Sequence, residues 1–241
     1  MSTTTTTTTM EHSPLIKQLA ANDRPTRDKA VDALKTYLSS STRVFTYHEM
    51  LQLWRGLFFC YWHSDRPLTQ QALATVLSSF PASMSAQNAP TFLRAFWSTM
   101  VKQYPLLDAL RADKFLLLMR RFVAAGFRVA LEDAVAVLER TVLGVSGGVR
   151  MQVADVWWDE AERVWGKEEV GEAEGRIQTL VAPWEKASRG GTDKRWRKTA
   201  RELLGDERAA RWGYDGEWAA KKPEENGEDG QEEEAWGGID G

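Results

Sequence analysis

Met50-Leu51-Gln52-Leu53-Trp54-Arg55-Gly56-Leu57-Phe58-Phe59-Cys60-Tyr61-Trp62 is the stretch that decides the fold class. Met50, Trp54, Leu57, Phe58, Tyr61 and Trp62 recur at the three-to-four-residue spacing of one helical face, while Leu51, Leu53 and Phe59 spread around the rest. A helix of this kind must bury most of its circumference, so it predicts neighbours on several sides. Its longest apolar run, Leu57 to Trp62, is far shorter than the roughly 20 residues that cross a bilayer. Asp65-Arg66-Pro67 ends this helix and begins another, because proline suits a first helical turn and disrupts an interior one.

Working outward, Ala30, Val31, Leu34, Tyr37 and Leu38 line one face of a helix behind Pro25. Leu68, Ala72, Leu73, Val76 and Leu77 do the same behind Pro67. Phe80 to Pro90 reads as a loop. Leu93, Trp97, Met100, Val101 and Tyr104 mark the next helix, which Pro105 breaks, and Phe115, Leu118, Met119 and Phe122 mark another. Further helices are expected near 130–143 and 149–165, separated by Gly144 and Gly147-Gly148, and one over Arg195 to Leu204. No stretch shows sustained strand alternation, so the expected class is all-α. Asp23-Arg24-Pro25 recurs 42 residues later as Asp65-Arg66-Pro67, and the same shift carries Ala30 to Ala72, Val31 to Leu73 and Leu34 to Val76. That period is the one of two-helix solenoid repeats. The expectation is an irregular helical stack resembling a HEAT/armadillo-like α-solenoid. It divides into a disordered threonine-rich segment at 1–13, a helical-repeat-like domain at 14–165, a basic, tryptophan-containing extension at 166–222 and a disordered acidic tail at 223–241.

Composition narrows the function classes. Of 241 residues, 43% are hydrophobic and 27% charged, a balance that excludes whole-chain disorder and fibrous classes. A lone cysteine, Cys60, fits a reducing compartment, and the N-terminus lacks the pattern of a secretory signal, so a soluble intracellular protein is expected. Residues 1–130 carry a net charge of +7 and the remainder −10. Such polarisation suggests a polyanion-facing region joined to an acidic one.

Catalytic patterns are missing. Cys60, His12, His48 and His63 do not supply the two spaced ligand pairs of a closed zinc site. Cys60 sits in an aromatic run where burial suppresses the thiolate. The chain lacks a nucleophile elbow, a phosphate-cradling loop and a dinucleotide turn, and the carboxylate pairs Asp159-Glu160 and Glu168-Glu169 diverge around a helix and read as solvated faces. The expectation is a non-enzyme with no cofactor, metal or small-molecule substrate, and no membrane association. Candidate RNA- or partner-binding residues are Arg24, Arg27 and Lys29 at a helix start, where the dipole disfavours cations. To them are added Arg120 and Arg121, and the cluster Lys194, Arg195, Trp196, Arg197 and Lys198, where a tryptophan among phosphate-binding charges could stack on a base. A solvated basic face fits that last spacing equally well. Trp157, Trp158, Trp165 and Trp184 lie where the apolar pattern is thinner and are candidate protein-docking anchors.

Five ordered blocks then carry a resemblance. These are Asn22-Asp23-Arg24-Pro25-Thr26-Arg27-Asp28-Lys29-Ala30, Leu53-Trp54-Arg55-Gly56-Leu57-Phe58-Phe59-Cys60, Ser64-Asp65-Arg66-Pro67-Leu68, Phe92-Leu93-Arg94-Ala95-Phe96-Trp97 and Leu110-Arg111-Ala112-Asp113-Lys114-Phe115. Over roughly residues 14–130 they resemble the nucleolar family called ribosomal RNA processing protein 1; beyond 130 only Leu180-Val181-Ala182-Pro183-Trp184 and the basic segment after it are similar in character. The resemblance implies a non-catalytic helical assembly factor of the large (60S) ribosomal subunit, required for precursor rRNA processing. It implies residence in early pre-60S particles in the nucleolus beside a WD-repeat factor, a Brix-domain factor and a maintenance-of-killer family protein. A protein-only helical-repeat adaptor that holds other factors without RNA contact is the alternative.

Overall fold

The computed structural model describes residues 14–40, 42–166, 174–190 and 193–220. The expected disordered termini at 1–13 and 223–241, together with His12 and Glu168-Glu169, lie outside the described residues. Among the described residues the regular structure is entirely helical. The α-helices are α1 (Pro14–Leu19), α2 (Arg24–Ser40), α3 (Tyr47–Trp62), α4 (Pro67–Ser83), α5 (Asn88–Gln103), α6 (Ala109–Val129), α7 (Leu131–Leu138), α8 (Gly148–Trp165), α9 (Glu174–Arg189), α10 (Lys194–Leu204) and α11 (Glu207–Arg211). No helix among them is long and apolar enough to cross a membrane.

Local chemistry sets the helix starts. Asp23 caps α2 by accepting from the Thr26 amide and hydroxyl. Thr46 and Glu49 form a reciprocal capping box at α3, and Asp108 caps α6 through the Arg111 amide. Each cap satisfies amides that the helix geometry leaves without a partner. Asp-Arg-Pro introduces both α2 and α4, so the 42-residue echo falls on equivalent helix starts.

The helices then stack in two layers. α2, α4, α6 and α8 pack in sequence in one layer, while α1, α3, α5, α7 and α9 pack in sequence in the other. Alternate helices therefore lie side by side, the arrangement that a solenoid of helix pairs requires. α10 closes the far end against α9 and α8. One contiguous core runs from Leu19 to Tyr214 through both layers. Around Trp54 it holds Phe92, Phe96 and Phe122, with the last two rings stacked at 3.9 Å.

The loop expected from Phe80 to Pro90 is a correction. α4 continues through Pro81 to Ser83 and α5 starts at Asn88, leaving only 84–87 between them. Phe80 and Pro81 are both buried, so the packing they gain holds the last turn of α4 despite the missing amide. Pro90 sits in the first turn of α5, where its amide would have had no partner. Pro105 behaves as expected: it lies in a 3-10 turn, Tyr104–Leu106, between α5 and α6.

Candidate functional site

The basic residues chosen from sequence fall into three different environments. Arg27 is buried, and its guanidinium donates to the carbonyls of Ala21 and Asn22 at 2.8 Å and of His63 at 3.3 Å. Lys114 arrives from α6 at the same place and donates to Trp62 O at 2.6 Å and Ser64 O at 2.8 Å. Two cations thus converge on the C-terminus of α3, where unpaired carbonyls and the negative end of the helix dipole favour them. Burial pulls the Lys114 ammonium below the usual lysine range, with Asp65 opposing that shift. Arg27 is accordingly a structural residue and is unavailable to a polyanion. Arg24 remains exposed and pairs with Asp28, and Lys29 is exposed.

Arg120 ties α6 to α8. It pairs with Asp159 at 3.0 Å and with the fully buried carboxylate of Glu160, which Arg163 also meets at 3.0 Å. Arg208 extends this network to Asp159 and Asp206. The Arg208 hydrogen bond and the Arg120 charge hold the Asp159 carboxyl below the usual carboxylate range against the opposing effect of burial. The expectation that Asp159 and Glu160 are merely solvated is therefore corrected for Glu160, whose ion pairs make burial tolerable. Arg121 is half-buried on α6.

On α10, Lys194, Arg195 and Lys198 face solvent, and Lys198 sits 3.5 Å from Glu202 one turn on. Arg197 is half-buried and has interactions of its own. Trp196 points the other way. It is 7% exposed, packs edge-on to Trp184 at 5.6 Å and lies beneath the Arg150 guanidinium at 4.3 Å. It is core and cannot stack on a base.

The tryptophan anchors are corrected in the same way. Trp157, Trp158 and Trp184 are at most 1% exposed. Trp157 meets Trp184 edge-to-face at 4.9 Å, and Trp158 meets Trp212 at 5.9 Å while donating its indole N–H to Leu203 O. Only Trp165 of the four is half-buried; it stacks on Phe127 and carries Arg176 over its ring. These rings build the second half of the core. The apolar pattern looked thin there because each partner lies in a different helix.

Cys60 is buried and its thiol is pushed up to about 11 by that burial, so the thiolate is suppressed at neutral pH. Among the described residues no group of three or more metal-ligating side chains comes together.

The outer face of α3, α5 and α7 was overlooked in the sequence. A groove of about 430 Å³ between α3 and α5 is lined by His48, Gln52, Arg55, Ser98 and Lys102. A second, of about 480 Å³ between α5 and α7, is lined by Arg94, Ser98, Asp133, Arg140 and Thr141. Tyr47 lies in both, and its hydroxyl donates to Ser98 Oγ at 2.8 Å, so the two grooves share a wall. Arg55, the Arg94 and Lys102 pair and Arg140 are far apart in the sequence, and the packing of α3, α5 and the turn that follows α7 brings them onto one face.

Comparison with known proteins adds the rest. A family model described as the nucleolar protein Nop52 matches residues 10–237. Ribosomal RNA processing protein 1 homolog A of Homo sapiens is 32% identical over 172 residues, covering 64% of this chain and 37% of the relative. Homolog B of Mus musculus is 32% identical over 170 residues, covering 63% and 24%. The Drosophila melanogaster homolog is 30% identical over 163 residues, covering 61% and 24%. The matched part of the chain thus spans between 24% and 37% of the length of these relatives.

Proposed function

This chain belongs to the Nop52 nucleolar protein family, and from that premise we propose that it is a non-catalytic nucleolar assembly factor of the 60S ribosomal subunit. It serves as a helical scaffold in early pre-60S particles and is required there for processing of precursor rRNA. The observation that carries this reading is the reach of the family match, which takes in every helix of the two-layer stack. The relatives' names, all ribosomal RNA processing protein 1 homologs, supply the process. A stack of helix pairs suits a scaffold because it offers long faces to several partners at once.

Its partners in this reading are precursor rRNA and other assembly factors, among them a WD-repeat factor, a Brix-domain factor and a maintenance-of-killer family protein. Lys194, Arg195 and Lys198, with Lys29 and Arg24, are the electrostatic contacts retained from the sequence, because they remain exposed. Tagged purification from cells, with RNA probing and mass spectrometry, tests the proposal. Large-subunit precursor RNA and early assembly factors are expected to come along. Recovery of a protein complex free of precursor RNA would replace the scaffold with the protein-only adaptor.

A further inference from the structure

We infer that the outer face of α3, α5 and α7 is an RNA-backbone-binding surface, with Arg94, Lys102 and Arg140 as its phosphate contacts; this deepens the proposed function and rests on it. Charge balance is the first argument. α5 contains no carboxylate, and the single one on α3, Glu49, is taken up by the Thr46 cap and Arg43. In the two joined grooves Arg94, Lys102 and Arg140 meet one lining carboxylate, Asp133. The opposite layer differs, for there Arg24, Arg120 and Arg163 are matched by Asp28, Asp159 and Glu160. Arg94, Lys102 and Arg140 make no ion pair among the described residues.

Pre-organisation is the second argument. The Arg94 guanidinium lies 4.2 Å over the Tyr47 ring, and Tyr47 is itself held by Ser98. Arg140 is steadied by its Nε donating to Ala136 O at 3.1 Å, which leaves its terminal nitrogens for a ligand. Cations already fixed in position lose less side-chain entropy when a polyanion arrives. Arg94 and Lys102 lie eight residues apart on α5, and Arg140 lies in the π-helical turn Glu139–Leu143 that follows the neighbouring α7. With packed helices about 8–10 Å apart, this spread suits an extended chain of phosphates better than one compact anion. The Tyr47 ring is covered by Arg94, so the face reads backbone charge and offers no base-stacking platform.

The test uses the full chain and a fluorescein-labelled single-stranded RNA of mixed sequence, titrated over a salt series. Arg94→Gln/Lys102→Gln/Arg140→Gln is expected to bind at least about tenfold more weakly near physiological salt. Its slope of log affinity against log salt should fall by about 2, near 0.7 for each lost phosphate contact on a single strand. Lys102→Glu alone, a fully surface change, should weaken binding in the same direction, and both variants should keep the parent thermal midpoint. A companion variant, Lys194→Gln/Arg195→Gln/Lys198→Gln, separates this face from α10. If the parent binds RNA and the groove variants keep its affinity and slope, the groove assignment is overturned while the assembly-factor reading stands. If the parent neither binds RNA nor recovers precursor RNA from cells, both fall together.

Discussion

Arg27 and Lys114 illustrate how a charged side chain becomes structural. Each is nearly fully buried, and each spends its N–H groups on carbonyls at the end of α3 or beside it. Removing either leaves buried acceptors without a donor, which costs more than the bond itself contributes. Arg27→Ala is therefore expected to lower unfolding stability by about 2 kcal/mol, read from urea denaturation, while RNA affinity of the folded protein stays at the parent value. An Arg27→Ala variant of unchanged stability and weakened RNA binding would return this residue to the surface role that the sequence suggested.

Between elements, close approach is what the stack demands. At Gly126 on α6, an added Cβ would stand 2.9 Å from the Ala134 Cβ on α7, a distance that neither backbone can absorb without moving. Gly126→Val should cost about 1–3 kcal/mol through overpacking, seen as a lower denaturation midpoint with an unchanged slope. α7 also passes directly into a π-helical turn, Glu139–Leu143, which places Arg140 on the outer face and buries Val142 and Leu143. A regular α-helical turn would rotate those positions around the axis.

For the molecule as a whole, burial and ion pairing set the pH range of stability. Asp159 is held low first by its hydrogen bond from Arg208, and Asp193 by those from the Trp196 amide and Arg150. Their stabilising contribution is complete above the ordinary carboxylate value of 3.8 and is lost as pH falls through the lower folded values. Cys60 works at the other end, since its thiol shifts from 9.0 to about 11 on folding. The unfolded chain ionises first as pH rises between those values, so stability declines there. Denaturant titrations should give a plateau between about pH 5 and 8 with a fall below pH 4 and another above pH 9. A stability that kept rising toward pH 3 would contradict the ion-pair network at α6, α8 and α11.

The helical class, most helix positions and the resemblance to a solenoid were legible in the chain. Those follow from local rules, namely apolar spacing, capping residues and proline at helix starts, each legible within a dozen residues. The five ordered blocks also pointed to the family that the comparison identifies. Which charged and aromatic side chains face solvent was settled by long-range packing. Arg27 looked like a surface cation until the end of α3 was placed beside it. Trp157, Trp158 and Trp184 looked underused until α8, α9 and α10 brought Trp196 and Trp212 against them. The cations of α3, α5 and α7 form one face for the same reason. Burial and electrostatic surroundings depend on atoms far away in the chain, and a local pattern carries no record of them.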